Sequence, residues 1–138
     1  MKTLYIGNSF SDDPAGRYYT DGDGSGEEFR EEVLKPLFYK ADKVVINIDQ
    51  NVEGYGSSFL VEAFAGLIKH GYFTKANILK KIEIKFSDPD FEFYSKKIYQ
   101  YLDEAKYNSA KYKSTKKKAI TEKKFKGSID KSFLSQLM

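Results

Sequence analysis

The stretch Lys43-Val44-Val45-Ile46-Asn47-Ile48-Asp49, followed after a short loop by Gly54-Tyr55-Gly56-Ser57-Ser58-Phe59-Leu60-Val61-Glu62-Ala63-Phe64-Ala65-Gly66-Leu67, decides the fold class. Its first part is a continuous apolar, β-branched run, the pattern of a strand covered on both faces in a parallel or mixed sheet. Its second part is apolar nearly all round, and Gly71 closes it just after His70, so it reads as a deeply packed helix over about 58–70. Outward from this pair, Lys2 to Ile6 reads as a first or edge strand and Arg17 to Thr20 as a second short one. Ile78 to Phe86 reads as a half-exposed strand, with Ile82, Ile84 and Phe86 alternating against Lys81, Glu83 and Lys85. Ser25 with Glu28 three residues later makes a capping-box start for a helix bearing Phe29, Val33, Leu34 and Leu37, which Pro36 is expected to kink or end. Asp88-Pro89 opens a further helix with Phe91, Tyr94, Ile98, Tyr101, Leu102 and Ala105 on one stripe. Strands alternating with helices predict an α/β fold, a small mixed sheet of about four strands with helices packed on it.

The 138 residues carry a net charge of +3, unevenly spread. Residues 1–95 hold 11 Lys/Arg against 16 Asp/Glu, while residues 96–138 hold 12 Lys against 4 Asp/Glu. An acidic body followed by a basic tail implies two surfaces with different tasks. The body is expected to repel phosphate, so nucleic acid is expected, if anywhere, at the tail. The organisation predicted is an α/β domain over 1–107 and a lysine-rich tail over 108–138, a linker or solvated helix extension. The tail ends in a short amphipathic segment with Ile129, Phe133, Leu134 and Leu137. With no cysteine, there is no disulfide and no thiolate metal site. No run approaches the ~20 apolar residues of a membrane span, and Met1 to Ser9 lacks the pattern of a secretory signal. A cytoplasmic protein is expected.

Several constellations compete for function. Asp21, Asp23, Ser25 and Glu32 fall at loop positions 1, 3, 5 and 12 of an EF-hand, with Gly26 at position 6, a spacing that supplies hard oxygens to calcium. The preceding Arg17-Tyr18-Tyr19 run makes no entering helix, so a flexible loop whose Ser25 caps a helix is the simpler reading. A small ligand, nucleotide or calcium ion at Asp21–Gly26 is the alternative. The same glycines lack the Lys-Ser/Thr pair of a phosphate loop and lie among carboxylates. His70, the single histidine, lies at a helix end, where a partial positive charge is favourable. It is roughly 18 Å from Ser57 and Ser58 along one helix at 1.5 Å per residue, which excludes a Ser-His-Asp triad. Asp49 and Glu62 can meet near the serines or serve as solvated groups. Lysines interleaved with tyrosines from Lys96 to Lys113 can stack bases, or form the wet face of an ordinary helix. No metal set, activated nucleophile or catalytic carboxylate pair is present, so neither an enzyme nor a cofactor is expected. What stands out is Gly56-Ser57-Ser58 at a strand-to-helix junction, where one serine caps the helix and a hydroxyl is presented to a partner.

The runs Gly16-Arg17-Tyr18, Ser25-Gly26-Glu27-Glu28-Phe29-Arg30 and Gly56-Ser57-Ser58-Phe59-Leu60-Val61-Glu62-Ala63-Phe64 resemble the motifs of the STAS-like bacterial domains of no established function. The resemblance covers about residues 3–86 and extends distantly to STAS domains of the anti-sigma-factor-antagonist type. Those carry an Asp-Ser-Ser turn before the corresponding helix, and a partner kinase of the GHKL ATPase type phosphorylates the first serine. The resemblance implies a non-enzymatic regulatory module with Ser57 as acceptor, Ser58 as its neighbour, and Tyr55, Gly56, Phe59 and Glu62 in the partner-binding turn and helix. Gly56 stands where that family has aspartate.

Overall fold

The computed structural model describes residues 2–138. Two long helices each run in three consecutive pieces. Helix α1, residues 26–40, passes from α (Gly26–Phe29) through a π-turn (Arg30–Leu34) back to α (Lys35–Lys40). Helix α2, residues 57–69, does the same over Ser57–Leu60, Val61–Ala65 and Gly66–Lys69. Four further helices follow: α3 (Lys75–Lys81), α4 (Glu92–Glu104), α5 (Lys116–Thr121) and α6 (Leu134–Leu137). Strands β1 (Thr3–Tyr5), β2 (Val44–Asn47) and β3 (Ile82–Lys85) form one sheet in the order β1-β2-β3, both pairs parallel. Parallel neighbours need crossovers; α1 supplies the first, α2 with α3 the second.

The sheet therefore has three parallel strands, not a mixed set of about four. Arg17 to Thr20 does not extend, because Asp21 Oδ2 accepts the backbone N–H groups of Arg17 (3.0 Å) and Tyr18 (2.9 Å) and curls the chain into a 3-10 turn at Tyr19–Asp21. Ile78 is helical: Thr74 Oγ1 accepts the Asn77 N–H (3.1 Å) and starts α3, so the strand begins only at Ile82. Pro36 does not end α1 either. The N–H of Lys35 reaches back to the Arg30 carbonyl in the widened turn just before it, and the helix continues to Lys40.

Leu4, Ile6, Val44, Ile46, Ile48 and Ile82 enter the main core, where they meet Phe29, Phe59, Phe64 and Ile98. The aromatic stack Phe10–Phe29–Phe59 (centroids 4.7 and 5.7 Å) and the neighbouring Tyr55–Phe59 pair (5.9 Å) fill the space between α1, α2 and the strand exits. The opposite sheet face carries the paired rows Thr3–Val45–Glu83 and Tyr5–Asn47–Lys85, of which only Val45 and Asn47 are buried. The apolar run in β2 is therefore covered chiefly by its neighbours in the sheet and by one helical layer.

Residues 108–138, expected as a linker or solvated extension, lie against α1. Ala119 and Phe125 join Tyr19 in a small second core, and Ile129, Phe133, Leu134 and Leu137 pack against the main one. Tyr19 and Phe125 meet edge to face at 4.8 Å.

Candidate functional site

The Gly56-Ser57-Ser58 turn is exposed at all three residues, while Tyr55 and Phe59 on either side are buried. Tyr55 anchors the turn: its hydroxyl donates to the Ile48 carbonyl (2.7 Å) at the exit of β2, and its ring meets Phe59 and Tyr94. Burial raises the Tyr55 hydroxyl pKa, with the Asp49 charge adding to it, so the group stays a donor. The expected serine cap is not what forms. Gly56 is the N-cap, at φ −78 and ψ 148, and no side chain caps the helix. Ser57 and Ser58 are its first two helical residues, their hydroxyls turned to solvent.

The start of α1 is the opposite case. The N–H groups of Gly26 and Glu27 donate to the carbonyls of Gly16 (3.0 Å) and Arg17 (2.9 Å), that of Glu28 to Ser25 Oγ (3.1 Å), and that of Phe29 to the Ser25 carbonyl (3.0 Å). The three donors of the first turn that lack a partner within the helix, those of Gly26, Glu27 and Glu28, are all taken. The N-termini of α1 and α2 thus differ in kind: one is closed by its own chain, the other is open.

Between the helices lies a buried ionic joint. Arg30, fully buried, donates through Nη1 to Glu62 Oε2 (2.5 Å) and the Glu62 carbonyl (2.8 Å), and through Nε to Glu31 Oε2 (2.9 Å). Burial alone would lower the Arg30 pKa, but the hydrogen bonds and charges of Glu31 and Glu62 outweigh it and hold the pKa above its ordinary value. Both residues sit in the π-turns of their helices. Two glycines permit the approach: a Cβ on Gly26 would lie 2.7 Å from the Phe59 carbonyl oxygen, and one on Gly66 2.6 Å from Arg30 Nη1. Tyr112 covers the joint from the C-terminal segment, with its ring 4.9 Å from the guanidinium and 4.7 Å from the His70 ring. His70 Nε2 is 3.7 Å from Glu62 Oε2, too far for a hydrogen bond. Burial, then the Arg30 charge, lowers its pKa against the opposing pull of Glu62. His70 caps α2 at its C-terminus but also reaches this joint, a contact that its position alone did not reveal.

The loop carboxylates are spent on the chain itself. Asp21 holds the Arg17–Tyr18 backbone; Asp23 accepts the N–H groups of Lys126 (2.7 Å) and Ser128 (2.8 Å); Ser25 is a buried cap. Glu32 accepts the Tyr19 hydroxyl (2.7 Å) and pairs with Lys131 (3.2 Å) and Lys116 (3.4 Å). Among the described residues no three carboxylate or imidazole groups converge as a metal site would require. Asp49 and Glu62 are likewise apart in role: Asp49 Oδ2 accepts the N–H groups of Ser87 (2.5 Å) and Asp88 (2.7 Å), tying the exits of β2 and β3 together.

The C-terminal segment clasps the acidic first turns of α1. Thr115 Oγ1 donates to Glu27 Oε1 (2.6 Å), the Tyr112 hydroxyl donates to Glu27 Oε2, and Lys131 pairs with the fully buried Glu28. These bonds set a pH response. Burial would raise the Glu32 and Asp23 pKa values, but their hydrogen bonds and, for Glu32, the charges of Lys131 and Lys116 lower both; Asp49 is lowered in the same way. A carboxylate depressed in the folded state stabilises above its unfolded pKa and ceases to as pH falls through the folded one. His70, also depressed, loses its contribution from about pH 6.5 downward, ahead of the carboxylates at about pH 4. The urea midpoint is expected to be level at pH 7–8, to decline below about 6.5 and to fall steeply below about 4.5. A midpoint unchanged down to pH 5 would remove His70 from this account.

With this geometry in place, residues 25–91 match the model of the STAS-like domain of unknown function (DUF4325). The match takes in α1, β2, α2 and β3, and so the ionic joint and the serine turn, but not the clasping segment. No curated protein and no solved structure matches the chain.

Proposed function

We propose that the stretch similar to a STAS-like domain is a non-enzymatic regulatory module that docks a protein through the Gly56–Ser57–Ser58 turn at the exposed start of α2, with Ser57 as the point of control. The observation that carries this reading is the contrast between helix starts. The 13-residue α2 begins with two solvent-facing hydroxyls and no side-chain cap, on a turn pinned by the buried Tyr55 and Phe59. A phosphate on Ser57 would meet uncapped N–H groups and the positive end of the helix dipole, and would add about −1.5 to −2 charges to the contact surface. The resemblance to antagonist STAS domains points to a GHKL-type ATPase or kinase as the partner.

Gly56 does not bar this role. Its φ is one that any residue adopts, and a Cβ there meets nothing within 4 Å. Gly56→Asp therefore places a capping carboxylate at the open end and adds a few tenths of a kcal/mol.

The test is binding and phosphate incorporation with a GHKL-type ATPase of the source genome and ATP. Ser57→Asp is expected to weaken binding by about tenfold or more, equivalent to about 1.4 kcal/mol, while Ser57→Ala binds like the wild type and accepts no phosphate. Gly56→Asp should accept phosphate at least as well as the wild type. Phosphate appearing elsewhere, or equal binding by both Ser57 variants, refutes the switch.

A further inference from the structure

We propose that the edge of the molecule formed by the C-terminal end of α1 and the α2–α3 connection binds single-stranded nucleic acid, stacking bases on Tyr39 and Tyr107 with Lys80 and its neighbours facing the phosphates. Two adjoining grooves of about 620 and 480 Å³ share Tyr72, Phe73 and Asn77 there. Tyr39 lines the larger groove and Tyr107 the smaller, 58 % and 67 % exposed, among the most open aromatic residues of the chain. Neither ring is loose. Tyr39 leans on Phe73 at 4.6 Å, and Tyr107 lies across Gly71, where an added Cβ would be 2.7 Å from its ring. The Asn108 N–H donates to the Lys69 carbonyl (2.9 Å) and fixes the chain beside Tyr107. Pinned rings with an open face are what base stacking requires.

Charge selects the occupant. Residues 1–95 are acidic overall, yet 35–43 and 69–81 together hold seven lysines against one acid, Asp42. The folded chain brings these two segments to one edge: Lys81 Nζ donates to the Phe38 carbonyl (2.8 Å) and Lys43 Nζ to the Lys80 carbonyl (3.1 Å). Among the described residues no carboxylate lies within ion-pair distance of Lys40, Lys69, Lys80 or Lys106, which line the grooves or adjoin their lining residues. Asp42 lines the larger groove and opposes an anion; Lys35 is taken by Glu31 (3.6 Å) and the Tyr72 ring, and Lys75 by Asp103 (3.8 Å). The acidic balance of the body, taken from sequence as repelling phosphate, is therefore a property of its other surfaces. An exposed aromatic face in each groove favours bases over an acidic peptide, and a concave site lined by rings admits unstacked bases rather than a duplex.

The experiment is fluorescence anisotropy of a labelled oligothymidine of about twelve nucleotides, within the usual site sizes, against the full chain at low salt. Single strand is expected to bind more tightly than duplex, with affinity falling steeply as salt is raised. Tyr39→Ala and Tyr107→Ala should each weaken it about tenfold, and Lys80→Glu at least as much, with the far-ultraviolet circular dichroism unchanged. The double variant Lys117→Glu/Lys118→Glu, on the C-terminal segment, should bind within about twofold of the wild type, given that its charges lie outside this edge. Loss of binding in the Lys117/Lys118 variant with none in Tyr39→Ala and Lys80→Glu assigns binding to the C-terminal segment and overturns the proposal. So does the absence of oligonucleotide binding, no preference for single strand, or uptake of a poly-glutamate peptide in its place. None of these outcomes bears on Ser57.

Discussion

Arg30→Met is expected to lower the unfolding free energy by about 3–5 kcal/mol, because it leaves Glu62 buried without the charge that faces it. Whole domains of this size hold about 5–15 kcal/mol, so the variant stands at the edge of folding. Arg30 is fully buried and Glu62 nearly so, and their contact joins α1 to α2 by two bonds, one to the carboxylate and one to the backbone carbonyl. Glu31 retains Tyr72 (2.9 Å) and Lys35 (3.6 Å), so most of the loss falls on Glu62. The double variant Arg30→Met/Glu62→Leu should regain much of the stability, since an apolar pair of similar volume often replaces a buried ion pair without cost. Urea unfolding of the three proteins measures this. A single variant within about 1 kcal/mol of the wild type would show that water already screens the pair.

Gly7→Ala should cost about 3 kcal/mol, the upper end of ordinary overpacking. An added Cβ would lie 2.1 Å from the Gln50 carbonyl oxygen and 2.8 Å from the Asn51 carbonyl carbon and oxygen. All three are backbone atoms, which cannot rotate aside as a side chain would. Here the exit of β1 touches the exit of β2, and Asn51 Nδ2 donates to the Gly7 carbonyl (3.2 Å) across the contact. Gly56→Ala is the matched control, open on all sides and expected within about 0.5 kcal/mol of the wild type. Equal melting temperatures for the two alanine variants would mean that the strand exits separate freely.

Features governed by neighbouring residues were legible in the sequence. The β2 strand, the Ser25 cap, the Asp88-Pro89 start and the Gly71 stop each depend on contacts within a few positions and each forms, although helices cover β2 on one face and not on both as read. The errors lie where a distant partner decides. Tyr18 and Tyr19 carry a strand-like side-chain pattern, but the Asp21 carboxylate turns their backbone. Ile78 fits the alternation of β3 and is claimed by a helix that Thr74 starts. Pro36 reads as a helix end, and the π-turn before it lets the helix continue.

The ionic joint has a signature in the sequence. Arg30 stands between Phe29 and Val33 on an apolar stripe, and Glu62 stands within a helix otherwise apolar around it. Two opposite charges, each alone on a buried face, call for each other. For Ser57 and Ser58 the sequence located the helix start to within one residue, but nothing in it distinguished a serine cap from Gly56, because the choice turns on backbone angles there. The clasp over Glu27 and Glu28 was hidden by composition: its lysines read as solvated charge, and only the fold shows that Lys116 and Lys131 are committed to α1.

The order β1-β2-β3 carries a last consequence. Each crossover steps the same way across the sheet, and right-handed connections that never reverse direction set their helices on the same side. Helices α1 and α2 are therefore neighbours by the winding of the chain before any side chain is considered. A sheet wound in one direction also has no point where the strand order turns back, and so lacks the cleft in which doubly wound folds hold their ligands. A molecule built this way has to place its recognition surfaces on helix starts and outer edges, where both surfaces argued above are found.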